Sequence, residues 1–250
     1  KVGFDTIDCG SFVSAKAIPQ MADTKQVLAG LQIQDSQSKL LVIVANTRGA
    51  EEASMYGQVT YLGFPFSVSG TFQKKNTNSS IAESFIRVHE IQEICEKKGK
   101  QLVIYISMGF GNPYDDPYSD AIVFEWVSRI SSLGVRIISL ADTVGLATPR
   151  QVAALTGYLI NQMPDHEIGV HLHSTPENWQ EKLEAAFQAG CKRFDGALKG
   201  IGGCPMANDE LVGNMNTELI IPYFENHRKL KNLNHEALAQ SLKIASEIFV

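Results

Sequence analysis

The sequence predicts an α/β fold of the (β/α)8 TIM-barrel kind, without the first strand and helix of that barrel and with extra C-terminal helices. Two observations carry this. Strand-like apolar runs alternate with helical stretches along the whole 250 residues, the pattern of βα units around a parallel sheet. Polar residues with chemical potential then fall at the ends of those runs, where such a barrel gathers its reactive groups. A single barrel domain over residues 1–250 fits the length, because barrels of this class run to about 250 residues without splitting.

Seven strands are expected, at 4–8, 40–45, 59–64, 101–107, 135–141, 168–173 and 193–198. The first follows Lys1-Val2-Gly3-Phe4, which reads as a helix end running straight into a strand, so a further strand and helix are expected upstream of Lys1. Helices are expected at 24–31, 49–56, 81–97, 119–132, 149–162 and 176–189, with a C-terminal pair ending at 235–250. Ser80 with Glu83 forms a capping-box signature, and Thr148-Pro149 places proline in a first turn, where its missing N–H is not needed. Residues 70–80 are strongly polar and are expected to form a loop, either solvated or part of a substrate-entry rim. In the last helix Leu238, Leu242, Ile244, Ala245 and Ile248 form an apolar stripe that suits a homodimer contact or a cover for the barrel end.

Composition excludes several function classes. With 22 Lys+Arg against 27 Asp+Glu there is no broad basic surface for nucleic acid. The apolar runs fall far short of the roughly 20 residues that span a bilayer, and no signal-peptide pattern appears. Cys9, Cys95, Cys191 and Cys204 form no CxxC pair, which points to a reducing, cytoplasmic compartment, with a mitochondrial matrix also open.

The chemistry begins at His171-Leu172-His173. Residues i and i+2 of a strand share a face, so both imidazoles project the same way and make half of a metal site. Around the same expected mouth fall Asp8, Ser11, Asn46, Ser107, Asn112-Pro113-Tyr114, Ser139 and Asp142, then Lys199 leading to Gly200-Ile201-Gly202-Gly203-Cys204-Pro205. Asp142 either caps the turn that follows it or serves the active site. Cys204, flanked by glycines, suits an acid/base on a swinging loop, and the same glycines also suit a phosphate cradle. Asn214 and Glu218 offer hard oxygens which, with two imidazoles, favour Mg2+ or Mn2+ over zinc. They also fit an N-cap and a first-turn acid.

These residues bring the chain into resemblance with the 3-hydroxy-3-methylglutaryl-CoA lyases, a metal-dependent group built on this barrel. The similar segments include 7–14 with Pro19-Gln20-Met21, Lys74-Lys75-Asn76 with Glu83-Ser84-Phe85, Asn112-Pro113-Tyr114, 139–145, His171-Leu172-His173, 200–207 and Gly213-Asn214 with Thr217-Glu218. The Gly-Ile-Gly-Gly-Cys-Pro loop is the specific part, since related acyl-CoA lyases, aldolases and Claisen-type synthases share the histidine pair. A non-catalytic metal-binding barrel is the alternative of another class.

The resemblance implies cleavage of an acyl-CoA, 3-hydroxy-3-methylglutaryl-CoA, to acetyl-CoA and acetoacetate. It implies His171, His173 and Asn214 as ligands of Mg2+ or Mn2+, Cys204 as the mobile acid/base, and Asp142, His171, Glu218 and Asp8 as further active-site groups. Ser11, Asn46, Ser139, Lys74, Lys75, Asn112 and Tyr114 are then candidates for substrate contact, the lysines and the 112–118 loop toward the CoA end. Two departures stand out. Asp8 occupies a position where the group carries glutamate, and the group's arginine–aspartate pair belongs to a strand upstream of Lys1. The 250-residue chain alone is therefore expected to be catalytically incomplete.

Overall fold

The computed structural model describes residues 1–34, 36–203, 212–230 and 232–249. Seven strands lie side by side in chain order: β1 (Thr6–Ser11), β2 (Lys39–Ile43), β3 (Val59–Ser67), β4 (Gln101–Ser107), β5 (Ile137–Ala141), β6 (Glu167–His171) and β7 (Arg193–Phe194). Every adjacent pair is parallel. Right-handed strand twist, applied repeatedly in one sequential order, curls such a sheet into a barrel wall.

Among the described residues nine helices accompany the strands: α1 (Thr24–Gly30), α2 (Thr47–Ser54), α3 (Gly70–Thr77), α4 (Ile81–Lys98), α5 (Asp120–Ser132), α6 (Pro149–Gln162), α7 (Trp179–Gln188), α8 (Thr217–Asn226) and α9 (His235–Ile248). None is long and apolar enough to cross a membrane. Both cap signatures read from the sequence form: Ser80 with Glu83 and Thr148 with Gln151 are complete capping boxes.

Strand alternation divides the core in two. Leu40 and Val42, Leu62 and Phe64, Leu102 and Ile104, and Ile138 and Leu140 face outward, into a large cluster shared with the helices. Their neighbours Leu41, Tyr61, Val103 and Ile137 face inward and pack with Ile43 and Tyr105 across the curl. Near-continuous apolar runs such as Leu40-Leu41-Val42-Ile43 are what a sheet buried on both faces requires.

Four expectations need correction. The stretch 70–80 is not a loop: Ser69 accepts from Phe72 N–H and starts α3, which runs to Thr77. β1 begins at Thr6 and reaches Ser11, so Asp8 and Ser11 lie within the strand rather than after it. β6 stops at His171, and His173 continues in an antiparallel bridge to Asn214. β7 holds two residues instead of six: the Asp195 N–H still donates to the Val170 carbonyl of β6, but beyond it Ala197 bridges to Asn216.

Candidate active site

The inward, C-terminal ends of the strands form the candidate site, as the barrel architecture demands. β6 ends there on His171, in register with Ala141 of β5, and His173 follows just past the strand with its imidazole centroid 5.5 Å from that of His171. His173 Nδ1 lies 3.0 Å from the Val212 carbonyl, which can only accept, so Nδ1 carries the proton and Nε2 keeps its lone pair. Burial, reinforced by the neighbouring His171, pushes His173 down to about 4, and the ring stays neutral. His171 Nδ1 meets Asp195 Oδ2 at 3.3 Å. Burial opposes charge on His171, but the Asp195 carboxylate, Asp8 and the Asn214 side chain more than offset it and hold its pKa above the ordinary value.

Asp195 lies at the centre of this arrangement and is the residue that sequence reasoning misses. Its Oδ2 also accepts from Ser139 Oγ at 3.3 Å, which places the buried Ser139 as an orienter of that carboxylate. The available signal is the same strand-end rule that selects Asp8 and Ser139; Asp195-Gly196 instead reads as the interior of a longer strand. Asp8 is exposed to the open interior of the curl, yet protein rings it closely. That surrounding, only partly offset by the Gly10 N–H and with Asp195 adding repulsion, raises its carboxyl to about 7. Tyr105 completes the wall, its ring edge-on to His171 at 5.7 Å.

Asn214 reaches the histidines on the segment after the glycine loop. Met215 N–H donates to the Leu172 carbonyl and Ser174 N–H to the Gly213 carbonyl, so 213–215 zips against 172–174. Asn214 Nδ2 donates to the Ile201 carbonyl at 2.9 Å, which turns its carbonyl oxygen toward His171 as an acceptor. Gly200 and Gly202 have φ of 64° and 97°, and a Cβ on Gly202 would lie 2.8 Å from Asn214 Nδ2. These glycines serve close approach to Asn214 as well as backbone freedom. Glu218 accepts the Lys199 N–H with both carboxylate oxygens, at 2.8 and 3.1 Å, and so fastens the root of the loop. Cys204 lies outside the described residues.

Two nitrogen donors with their opposite ring atoms anchored, and one carbonyl oxygen, suit a divalent cation by donor chemistry. Among the described residues no group of three or more His, Cys, Asp and Glu is placed to hold a metal ion, and Asn214 is the oxygen-bearing side chain that reaches the two histidines.

A family model described as HMGL-like matches residues 1–244. The chain belongs to the HMGL-like family. It is 34% identical to mouse mitochondrial hydroxymethylglutaryl-CoA lyase over 223 residues, 88% of this chain and 67% of that protein. To the (R)-citramalyl-CoA lyase of Chloroflexus aurantiacus it is 32% identical over 231 residues, covering 89% of this chain and 72% of the relative. An HMG-CoA lyase from Acinetobacter baumannii, solved with coenzyme A and 3-methylmalate, superposes with a TM-score of 0.89 and 31% identity. That match covers 98% of this chain and 79% of the other. The fold is thus that of the family's TIM barrels.

In this HMGL-like chain the remaining candidates divide between support and rim. Asp142 does not open onto the histidines: its carboxylate binds Lys182 Nζ at 2.8 Å and accepts the Ala147 N–H, the turn-capping alternative. Burial outweighs the lysine and raises its pKa. Ser11 accepts from Val13 N–H and donates to the Ile43 carbonyl, and Asn46 caps α2 by accepting from Gly49 N–H. Asn112 shapes its own loop, accepting from the N–H groups of Tyr114 and Asp116. On the rim Lys75 lies over the Tyr114 ring at 4.3 Å, that ring stacks on Phe72, and Lys74 is exposed on the same helix.

Proposed function

We propose that residues 1–250 are a barrel domain of a divalent-metal-dependent carbon–carbon lyase, which cleaves 3-hydroxy-3-methylglutaryl-CoA to acetyl-CoA and acetoacetate. The observation that carries this reading is the pair of imidazoles, each anchored through Nδ1, converging with the Asn214 carbonyl. His171, His173 and Asn214 would hold Mg2+ or Mn2+, which when bound supplies Lewis acidity that lowers the pKa of a chelated hydroxyl.

The chain's own groups have separate tasks. Asp195 fixes the His171 tautomer and, through Ser139, keeps its own carboxylate in place. Asp8, beside His171 and with a carboxyl that its surroundings raise in the metal-free protein, is the proposed acceptor of the substrate hydroxyl proton. Loss of that proton releases the carbon–carbon bond beside it, and the departing thioester enolate then needs a proton at carbon. Cys204, on the loop whose root Glu218 holds, is the proposed donor. Lys75, held over the Tyr114 ring, offers a cation for the CoA end of the substrate.

The likeness to a citramalyl-CoA lyase favours a second reading, in which the same bond cleavage acts on citramalyl-CoA and releases pyruvate. Offering both thioesters with Mn2+ to the full-length protein distinguishes them. Acetoacetate as the faster product supports the first reading, pyruvate selects the second, and neither product removes both.

A further inference from the structure

Lys182 is buried where a lysine is least expected. It stands in the first turn of α7, the positive end of the helix dipole, with a side chain 2% exposed. All three ammonium protons find oxygen: Asp142 Oδ2 at 2.8 Å, the His173 carbonyl at 2.9 Å and the Gly145 carbonyl at 3.1 Å. A buried charge is tolerated only when paired and fully hydrogen-bonded, and here every partner belongs to a segment that follows β5 or β6.

The partners matter more than the pairing. β6 leaves its ladder at His171, and in the bridge to Asn214 the His173 carbonyl accepts no backbone N–H from the described residues; Lys182 takes that place. Asp142, held by the same ammonium, donates its backbone N–H to the His171 carbonyl at 3.0 Å. One side chain thus grips the backbone of His173 directly and that of His171 through Asp142. The 172–174 segment it steadies is the template against which 213–215, with Asn214, is zipped. An amphipathic helix with a lysine in its first turn normally shows that lysine to solvent, so α7's sequence alone does not disclose this role.

We infer that Lys182 is a positioning residue for the metal site: it sets the spacing of His171, His173 and Asn214 without touching substrate or ion. The inference rests on the proposed metal-binding function. Lys182→Met alone strands the Asp142 charge and risks misfolding, so the decisive protein is the double variant Lys182→Met with Asp142→Asn, which removes both charges and keeps the volume.

Calorimetric titration with Mn2+ alone, on the full-length protein well below its melting temperature, is expected to show affinity lowered roughly 10- to 100-fold in the double variant. Amide exchange without metal is expected to accelerate at Ser174 and Met215, while Ile104 and Ile138 in the strand core keep their protection. Unchanged Mn2+ affinity with unchanged exchange at Ser174 and Met215 overturns the inference and leaves the proposed function standing. If the unsubstituted protein binds no Mn2+, the functional reading itself fails and this inference falls with it.

Discussion

Asp195 determines which nitrogen His171 presents to the site. A carboxylate on Nδ1 draws the proton there, fixes the ring plane and makes Nε2 a better donor. Removing the charge has two separable effects. In the metal-free Asp195→Asn protein His171 titrates at lower pH than in wild type, because the largest influence favouring its charged form is gone. An NMR titration of the ring protons reads this directly, and an unmoved midpoint contradicts the assigned contact. Turnover and metal affinity of Asp195→Ala are expected to fall roughly 10- to 100-fold. At this scale the sequence exposes the histidines through their spacing, whereas Asp195 and Lys182 acquire their roles only from what the fold places beside them.

At the scale of elements, legibility followed apolar periodicity. α4 is readable because Val88, Ile91 and Cys95 repeat along one buried face behind a capping box. α3 is not, because its eight residues bury only Phe72 and Gln73, and a buried glutamine looks like loop chemistry. That glutamine accepts the Ser67 N–H at the end of β3, so tertiary contact rather than local pattern makes the helix. The capping box of α4 gives a direct test. Ser80→Ala is expected to lower unfolding free energy by about 1 kcal/mol, measured by urea denaturation. Glu83 accepts from the Ser80 N–H and hydroxyl, and these hold its carboxyl below the ordinary value. A depressed folded pKa means its contribution is complete above the unfolded value and is lost as pH falls through the folded one. Wild type should therefore lose its advantage over Glu83→Gln as pH falls from about 5 toward 3. A difference that stays constant over that window would rule out the carboxylate's part in the cap.

The whole molecule is legible as alternation: βα units in sequence produce a sequential parallel sheet, and its chemistry collects at one end. What the alternation does not reveal is how the inside of the curl is filled. Large polar side chains occupy it, with Arg193 paired to Glu167 at 2.7 Å and lying over the Tyr61 ring, and Tyr105 above them against His171. Such groups fit only where the facing strands yield space. Gly63 on β3 yields it: a Cβ there would stand 2.8 Å from Ile43 Cδ1, 3.0 Å from Tyr105 Cε2 and 3.1 Å from Leu41 Cδ2. Three interior side chains from two neighbouring strands would have to shift together, and the Tyr105 ring has little freedom to do so between Gly63 and His171. Gly63→Ala, although it adds one methyl group to a residue type that strands disfavour, is therefore expected to destabilise the protein by about 1–3 kcal/mol. Chemical denaturation at fixed pH measures this. A gain in stability, the ordinary result of replacing a strand glycine by alanine, would mean that the interior is looser than these contacts describe and that Tyr105 is free to move away from the histidines.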